Sequence, residues 1–453
     1  MRRLAILLGA GALAGCTLEP AYVRPTPAAP RTWPVGAAYP PAEARTASAL
    51  TYAEVFKDPR LKGLIDRALI QNQDLAAAIA NVEIARAQYR VQRADQLPHL
   101  NATASASENH ERGETTRDHQ AAVEMPAFEL DLFGRLRSLS HAAQEQYLAS
   151  EAGARAARLT LVGEVADAWL TLAADRSQQA VAAETLTSAQ KTVDLTEARR
   201  AGGVAPRTDL SQAQTVLEQA RADLAQLVTT VAQDRNALEL LVGGPATDAE
   251  LPTGIEGLDA SLTEVPAGLD SGILLLRPDV QEAEHRLKAA FADIGAARAA
   301  FFPIISLTAL AGVASPQLGS LFAGGTFTWQ GQAAAALPIF AGGALRGGLD
   351  QAKGERDLAL AQYQKAVQAA FRDVADALAR RGAMKDQLAA QAALEAAASQ
   401  SYDLAVARYK EGVDPYLTTL DAQRTLYSAR RALAEAQLAA TQNLVALYQS
   451  LGG

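Results

Sequence analysis

The sequence predicts a mainly helical chain that also gives strands to a membrane barrel, and three observations carry that prediction. The chain repeats itself at an offset of 209 residues: Glu164-Val165-Ala166-Asp167-Ala168 lines up with Asp373-Val374-Ala375-Asp376-Ala377, and Asp194-Leu195 with Asp403-Leu404. The same ungapped offset sets Gly203-Val204 on Gly412-Val413, Pro206 on Pro415, and Gly243-Gly244 on Gly452-Gly453. Second, its alanine- and leucine-rich stretches favour helix over lengths that suit rods better than globular helices. Third, each half switches briefly to a period of two, the signature of strands.

The elements follow in order. Arg2 and Arg3 precede an apolar run, Leu4 to Ala12, too short to span a bilayer, and Leu13-Ala14-Gly15 makes a small-residue cleavage context, so 1–15 reads as an export signal. The only cysteine, Cys16, then stands at the first mature position. Residues 16–60 carry Pro20, Pro25, Pro27, Pro30, Pro34, Pro40 and Pro41, too many for a helix, and read as an extended strap or else as a disordered leader. The first repeat, 61–242, is expected to hold a helix over 62–96 and a hairpin at 98–132 with strands near 98–110 and 119–132. A long helix over 137–201, a turn at 202–206 and a helix to about Leu241 complete it. Some 60 helical residues make a rod of roughly 90 Å. Residues 243–272, rich in Gly, Pro and Asp, read as an irregular crossover. The second repeat, 273–453, matches: a helix over 277–300, a hairpin at 303–338 with strands near 303–314 and 325–338, a helix over 346–410, a turn at 411–415 and a helix to Leu451.

The strand faces separate by chemistry. Leu100, Ala102, Ala104 and Ala106 share one side and Asn101, Thr103, Ser105 and Ser107 the other, while Phe327, Trp329, Gly331 and Ala333 oppose Thr328, Gln330 and Gln332. A barrel wall between lipid and water has this pattern, and so does a sheet packed on a core; Glu129 and Asp131 complicate the second strand. Strand length favours the barrel, since about ten tilted residues match a bilayer, and because a barrel needs about eight strands at least, several chains must combine. Alanine on more than one helix face allows close side-by-side packing into a cylinder. After the signal no run of 18 apolar residues remains for a membrane helix. The formal charge of −8, which becomes −10 once Arg2 and Arg3 leave, and the lack of a basic cluster argue against nucleic acid as a partner. The five histidines fall in no metal-ligand spacing and no phosphate-cradling glycine loop is present, so neither a cofactor nor an enzyme's catalytic group is expected.

The segments LLLRPDVQEAEHRLKAAFADIGAARAAFFPIISLTA (274–309), FELDLFGRLRS (128–138), PIFAGGALRGG (338–348) and GVDPYLTTLDAQRTLYSAR (412–430) resemble the TolC-like outer-membrane efflux family over essentially the whole mature chain. The resemblance is strongest to its lipoprotein branch, of OprM and NodT type, which serves resistance-nodulation-division (RND) pumps. It implies a homotrimer in which each chain gives four strands to a twelve-stranded outer-membrane barrel and its helices to a periplasmic α-barrel. The function implied is a passive exit duct for small molecules such as drugs, coupled to an inner-membrane RND pump through a periplasmic adaptor (membrane fusion) protein. Leu-Ala-Gly-Cys resembles a lipobox, which implies a lipidated Cys16 in contact with outer-membrane lipid.

By the same resemblance, the turns with Gly203, Val204 and Pro206 and with Gly412, Val413 and Pro415 dock the adaptor. Asp421 and Leu417 narrow the pore; the plain alternatives are a helix-start acid, the weaker reading for Asp421, and a seam leucine, an even one for Leu417. Tyr409, Thr208 and Asp209 match positions that tether the closed tip, with the Tyr409 hydroxyl expected to donate to Asp209. Where TolC carries a second acid and a tethering arginine, this chain holds Thr418 and Asp414. A protein-secretion outlet of the same fold and a non-conducting periplasmic lipoprotein are the alternatives.

Overall fold

The computed structural model describes residues 17–30, 32–39, 51–263 and 271–453; the signal segment 1–15 and Cys16 lie outside the described residues. The helices in chain order are α1 (Tyr52–Val55), α2 (Pro59–Gln71), α3 (Gln73–Ala94), α4 (Arg135–Ala201), α5 (Arg207–Val242), α6 (Pro278–Ala299), α7 (Ala344–Lys410) and α8 (Tyr416–Ser450). Strands β1 (Asn101–Glu111) and β2 (Glu114–Glu129) fall between α3 and α4, and β3 (Ile304–Ser315) and β4 (Phe327–Ala336) between α6 and α7. The long helices α4 and α7 have 67 residues each, and both of their ends are displaced by the 209-residue offset seen in the sequence.

The single helix expected over 62–96 is two helices. Asn72 leaves the helical region at ψ 129°, its N–H ends α2 on Ala68 O, and its Oδ1 accepts from Leu75 N at 2.9 Å to start α3. The Nδ2 of the same amide donates to Leu241 O at 3.0 Å, so the break is held by a partner far away in sequence. The first hairpin is also tighter than expected: β2 begins at Glu114, and only Arg112 and Gly113, at φ 55° and 88°, form the turn. Two central residues at positive φ suit the twist of a two-residue hairpin.

Two compact units take segments from both repeats: one runs to Thr26 and includes Ile79–Ala152 and Gln281–Ala366, the other comprises Pro27–Ala78, Gly153–Val280 and Val367–Gly453.

The first unit holds the sheet, antiparallel in the order β1-β2-β3-β4, so β1 and β4 are open edges. Residues directly opposite each other project to the same side, and the register therefore sorts every side chain. One face carries Ala102, Ala104 and Ala106, then Ala121, Val123 and Met125, then Ile305, Leu307, Ala309, Ala311 and Val313, then Phe327, Trp329, Gly331, Ala333 and Ala335. None of these is charged, and Val123, Phe327 and Trp329 are exposed; nearer the β1–β2 turn the same face carries His119, the ion pair of Glu108 with Arg117, and His110. The other face carries Asn101, Thr103 and Ser105, Gln120 and Glu124, Ser306 and Thr308, and Thr328, Gln330 and Gln332. A bulge between Met125 and Phe128 inserts Pro126, whose carbonyl accepts from Thr308 Oγ1 at 3.0 Å. The two acids that complicate the second strand sit at and beyond its end, where Glu129 takes Arg135 Nε at 2.8 Å and Asp131 accepts from Arg137 N at 2.8 Å.

The core of the second unit packs Phe56, Leu61, Leu64 and Ile65 against Trp169, Leu170 and Leu172 of α4, Leu238 of α5 and Val445 of α8. Here the crossover is pinned to the wall: Trp169 Nε1 donates to Glu250 O at 3.2 Å, and Ser177 Oγ donates to Glu256 while accepting from Ile255 N at 2.9 Å. Gly243 ends α5 at φ 82°, with a Cβ there falling 2.7 Å from Gln71 O, so only glycine fits. In the same unit Trp33 of the proline-rich segment stacks on Phe371 at 5.0 Å.

Candidate functional site

At one end of the four long helices of the second unit, two turns come together with the same internal geometry. After α4, Gly203 N donates to Arg200 O at 3.0 Å and Val204 N to Arg199 O at 2.9 Å, with Gly203 at φ 75°. After α7, Gly412 N donates to Tyr409 O at 3.0 Å and Val413 N to Arg408 O at 2.9 Å, with Gly412 at φ 76°. A left-handed glycine closing the last carbonyls is a standard helix stop. Pro206 and Pro415 then start α5 and α8 from extended backbone, at ψ 159° and 157°. Val204 and Val413, 67% and 60% exposed, stand out from both turns as an apolar pair.

The matched turns 202–206 and 411–415 differ at two positions, Gly202 against Glu411 and Ala205 against Asp414, and the second changes the pairing. Asp414 follows Val413 and takes Arg408 in a bidentate pair at 2.6 and 2.9 Å, whereas Ala205 occupies the equivalent place in the first turn. Arg199, the counterpart of Arg408, therefore has no acid of its own and reaches across to the other hairpin. Its Nη1 donates to Tyr409 O at 2.9 Å and Lys410 O at 3.2 Å, and its guanidinium lies 4.8 Å from the centre of the Tyr409 ring. Sequence reasoning missed this residue; the Ala205/Asp414 difference was the signal that could have found it.

The expected tether is arranged differently within the chain. Tyr409 is buried, and its hydroxyl lies 3.3 Å from Thr196 Oγ1, which spends its own proton on Thr192 O at 2.8 Å, so Tyr409 donates to Thr196 and not to Asp209. The cause is packing: Tyr409 and Tyr416, with ring centres 5.5 Å apart, fill an apolar cluster with Val193, Leu210, Leu217 and Leu420, which turns the hydroxyl inward. Burial pushes Tyr416 up to about 12, with the neighbouring Tyr402 and Tyr409 adding to it. Thr208 is exposed and Asp209 half-buried at the start of α5, and Asp209 N closes the first turn of that helix on Pro206 O. Leu417 and Asp421 are exposed one helical turn apart on α8, and Asp421 has no side-chain partner among the described residues.

Beyond the turns the helix pairs are laced by polar contacts: Tyr402 with Ser188 at 2.6 Å, Tyr427 with Asp223 at 3.1 Å, and Arg430 with both Glu184 and Glu395. Between α4 and α5, Asp234 faces Asp175; burial and the hydrogen bond to that second carboxyl push Asp234 up to about 7. A cavity of about 620 Å³ in this unit is lined by Arg277, Asp279, Asp373 and Asn443, where Arg277 is already committed to Asp279 and to Ser450 O at 2.9 Å. Among the described residues no group of His, Cys, Asp and Glu could hold a metal ion.

Comparison with known proteins adds three findings. The family model described as "Outer membrane efflux protein" matches residues 64–244 and 271–453. The chain is 45% identical over 460 residues to the toluene efflux pump outer membrane protein TtgC of Pseudomonas putida, covering 99% of this chain and 95% of that one. Among solved structures, a membrane protein from Pseudomonas aeruginosa superposes with a TM-score of 0.89 at 38% identity, covering 97% of this chain and 98% of that chain. The open state of the Neisseria gonorrhoeae MtrE outer membrane channel does so with a TM-score of 0.85 at 38% identity, again covering 97% and 98%.

Proposed function

The chain belongs to the outer membrane efflux protein family, and from that premise we propose that it is the outer-membrane exit duct of an RND-type efflux pump, passing small molecules such as drugs and solvents outward without chemistry of its own. One observation carries the reading: a four-stranded sheet with two open edges and one face that is apolar and uncharged from Ala102–Ala106 across to Phe327–Ala335, its charged residues Glu108 and Arg117 gathered beside the β1–β2 turn. An exposed apolar face of that extent demands a lipid or protein cover, and unpaired strand edges cannot remain in a bilayer. Four strands are too few to close a barrel, so the edges β1 and β4 pair between copies. Three copies give twelve strands, and the same symmetry packs the long helices into a cylinder.

In this reading the paired turns are the periplasmic tip. Val204 and Val413 offer the adaptor its apolar contact, with Gly203, Pro206, Gly412 and Pro415 fixing the turn shape. Leu417 and Asp421, exposed on one face of α8, ring the pore. Asp209 and Thr208 remain available to a neighbouring copy, and Arg199 with Tyr409 ties the two hairpins of each chain. Cys16, acylated, adds a second hold on the outer membrane.

The test is physical. Purified in mild detergent, the protein should have a mass three times that of the chain and should conduct ions across a planar bilayer. A monodisperse monomer that inserts no channel would sink the shared-barrel argument.

A further inference from the structure

The proline-rich segment near the chain start makes a contact that the duct reading does not use. Residues Glu284, Lys288, Phe291, Gly295 and Arg298 of α6 are spaced by four, three, four and three, which places them on one helix face. That face is occupied in order by residues 18–24, running antiparallel to the helix. Arg24 meets Glu284 with two hydrogen bonds of 3.0 Å, and Tyr22 Oη donates to the same carboxylate at 3.0 Å. The Tyr22 ring lies edge-on to Phe291 at 5.6 Å with Lys288 Nζ 5.4 Å from its centre. Glu19 lies over Gly295, where a Cβ would come within 3.1 Å of Glu19 Cα, and Arg298 Nη1 donates to Leu18 O at 3.1 Å. Glu19 in turn takes His141 Nδ1 of α4 at 2.9 Å.

The glutamate decides what kind of contact this is. The Glu284 side chain is only 5% exposed, and its partners are Arg24, Tyr22 and Lys288, two of the three supplied by the segment. The segment thus both covers this carboxylate and supplies most of its pairing, so the charge is taken out of water only where its partners arrive with the cover. Burial alone would raise the Glu284 carboxyl, but the Arg24 hydrogen bonds, the Lys288 charge and the Tyr22 hydroxyl outweigh it and hold the group below its ordinary range. A loose tether needs no such pocket, whereas a bidentate arginine, a ring seated between an aromatic and a cation, and a glycine gap for close backbone approach are features of a peptide-binding site.

We propose that this face of α6 is a recognition track for a Tyr-x-Arg peptide, and that its ligand is the chain's own Tyr22-Val23-Arg24 segment, docked in cis. The track fixes the course of residues 18–24 along α6, with Glu19 held to His141 at one end and Arg24 to Glu284 at the other. The docking does not depend on acylation, and its test is separable from the duct reading.

Val23 is 76% exposed between the two anchoring residues, a position that accepts a probe. A spin label on Val23→Cys in a Cys16→Ser full-length chain should give an immobilised spectrum. Arg24→Ala and Glu284→Gln should each raise the mobile fraction severalfold. Gly295→Ala should do the same while the helix content measured by circular dichroism holds steady, because alanine strengthens α6 but its methyl group displaces Glu19. A mobile spectrum in the parent chain, or an immobilised one in all three variants, would overturn the proposal.

Discussion

At the scale of residues, one arginine decides how the two hairpins of the tip are joined. Arg408 spends its charge on Asp414 in an exposed local pair, where solvent screening leaves little net stabilisation. Arg199 bonds to the backbone of the opposite hairpin and covers the Tyr409 ring, with the bond to Tyr409 O partly buried; a charged donor strengthens such a bond, and partial cover reduces its screening. Arg199→Ala should therefore raise single-channel conductance and speed proteolysis at the turns, while Arg408→Ala leaves both near the parent values. Equal effects from the two variants would remove the distinction. The second residue-scale prediction concerns Asp234. Its folded-state pKa of about 7 lies above the unfolded value of about 4. The folded chain then holds a proton that the unfolded chain releases, so the stabilisation is complete below pH ~4 and is lost as pH rises toward 7. Asp234→Asn, neutral throughout, should raise the thermal midpoint at pH 8 and change it little at pH 4. A gain of the same size at both pH values would contradict the assignment.

At the scale of elements, the sheet is the part whose environment can be tested side by side. Ala311 of β3 lies on the apolar face beside Trp329, and Thr308, three residues earlier on the same strand, lies on the polar face beside Gln332. An arginine in the middle of a lipid-facing strand costs about 2–4 kcal/mol, while lumen positions tolerate charge. Ala311→Arg should thus lower the temperature at which the assembled species dissociates on a semi-native gel, and Thr308→Arg should leave it close to the parent. The reverse order would mean that the two faces are exchanged. The bulge at Pro126 is what keeps this assignment consistent, because it lets Phe128 rejoin the apolar face opposite Leu307 after the register shift.

At the scale of the whole molecule, what the sequence made legible was whatever repeats or alternates locally. The helical hairpins could be read because glycine and proline recur at one offset, and the strand faces because small polar and apolar residues alternate. The break at Asn72 could not, since its amide is satisfied by Leu241 O from the far end of the repeat. Nor could the role of Glu284, whose arginine partner lies 260 positions away. The inward turn of the Tyr409 hydroxyl depends on an aromatic pair that no spacing announces. The near identity of the two turns has one more consequence. A trimer built from this chain would present six copies of almost the same loop around its axis, so a partner would meet pseudo-sixfold symmetry, and a ring of six subunits could bind every loop with one docking mode. Asp414 against Ala205 lowers that symmetry to threefold, dividing such a ring into two alternating classes of subunit that need not bind equally tightly.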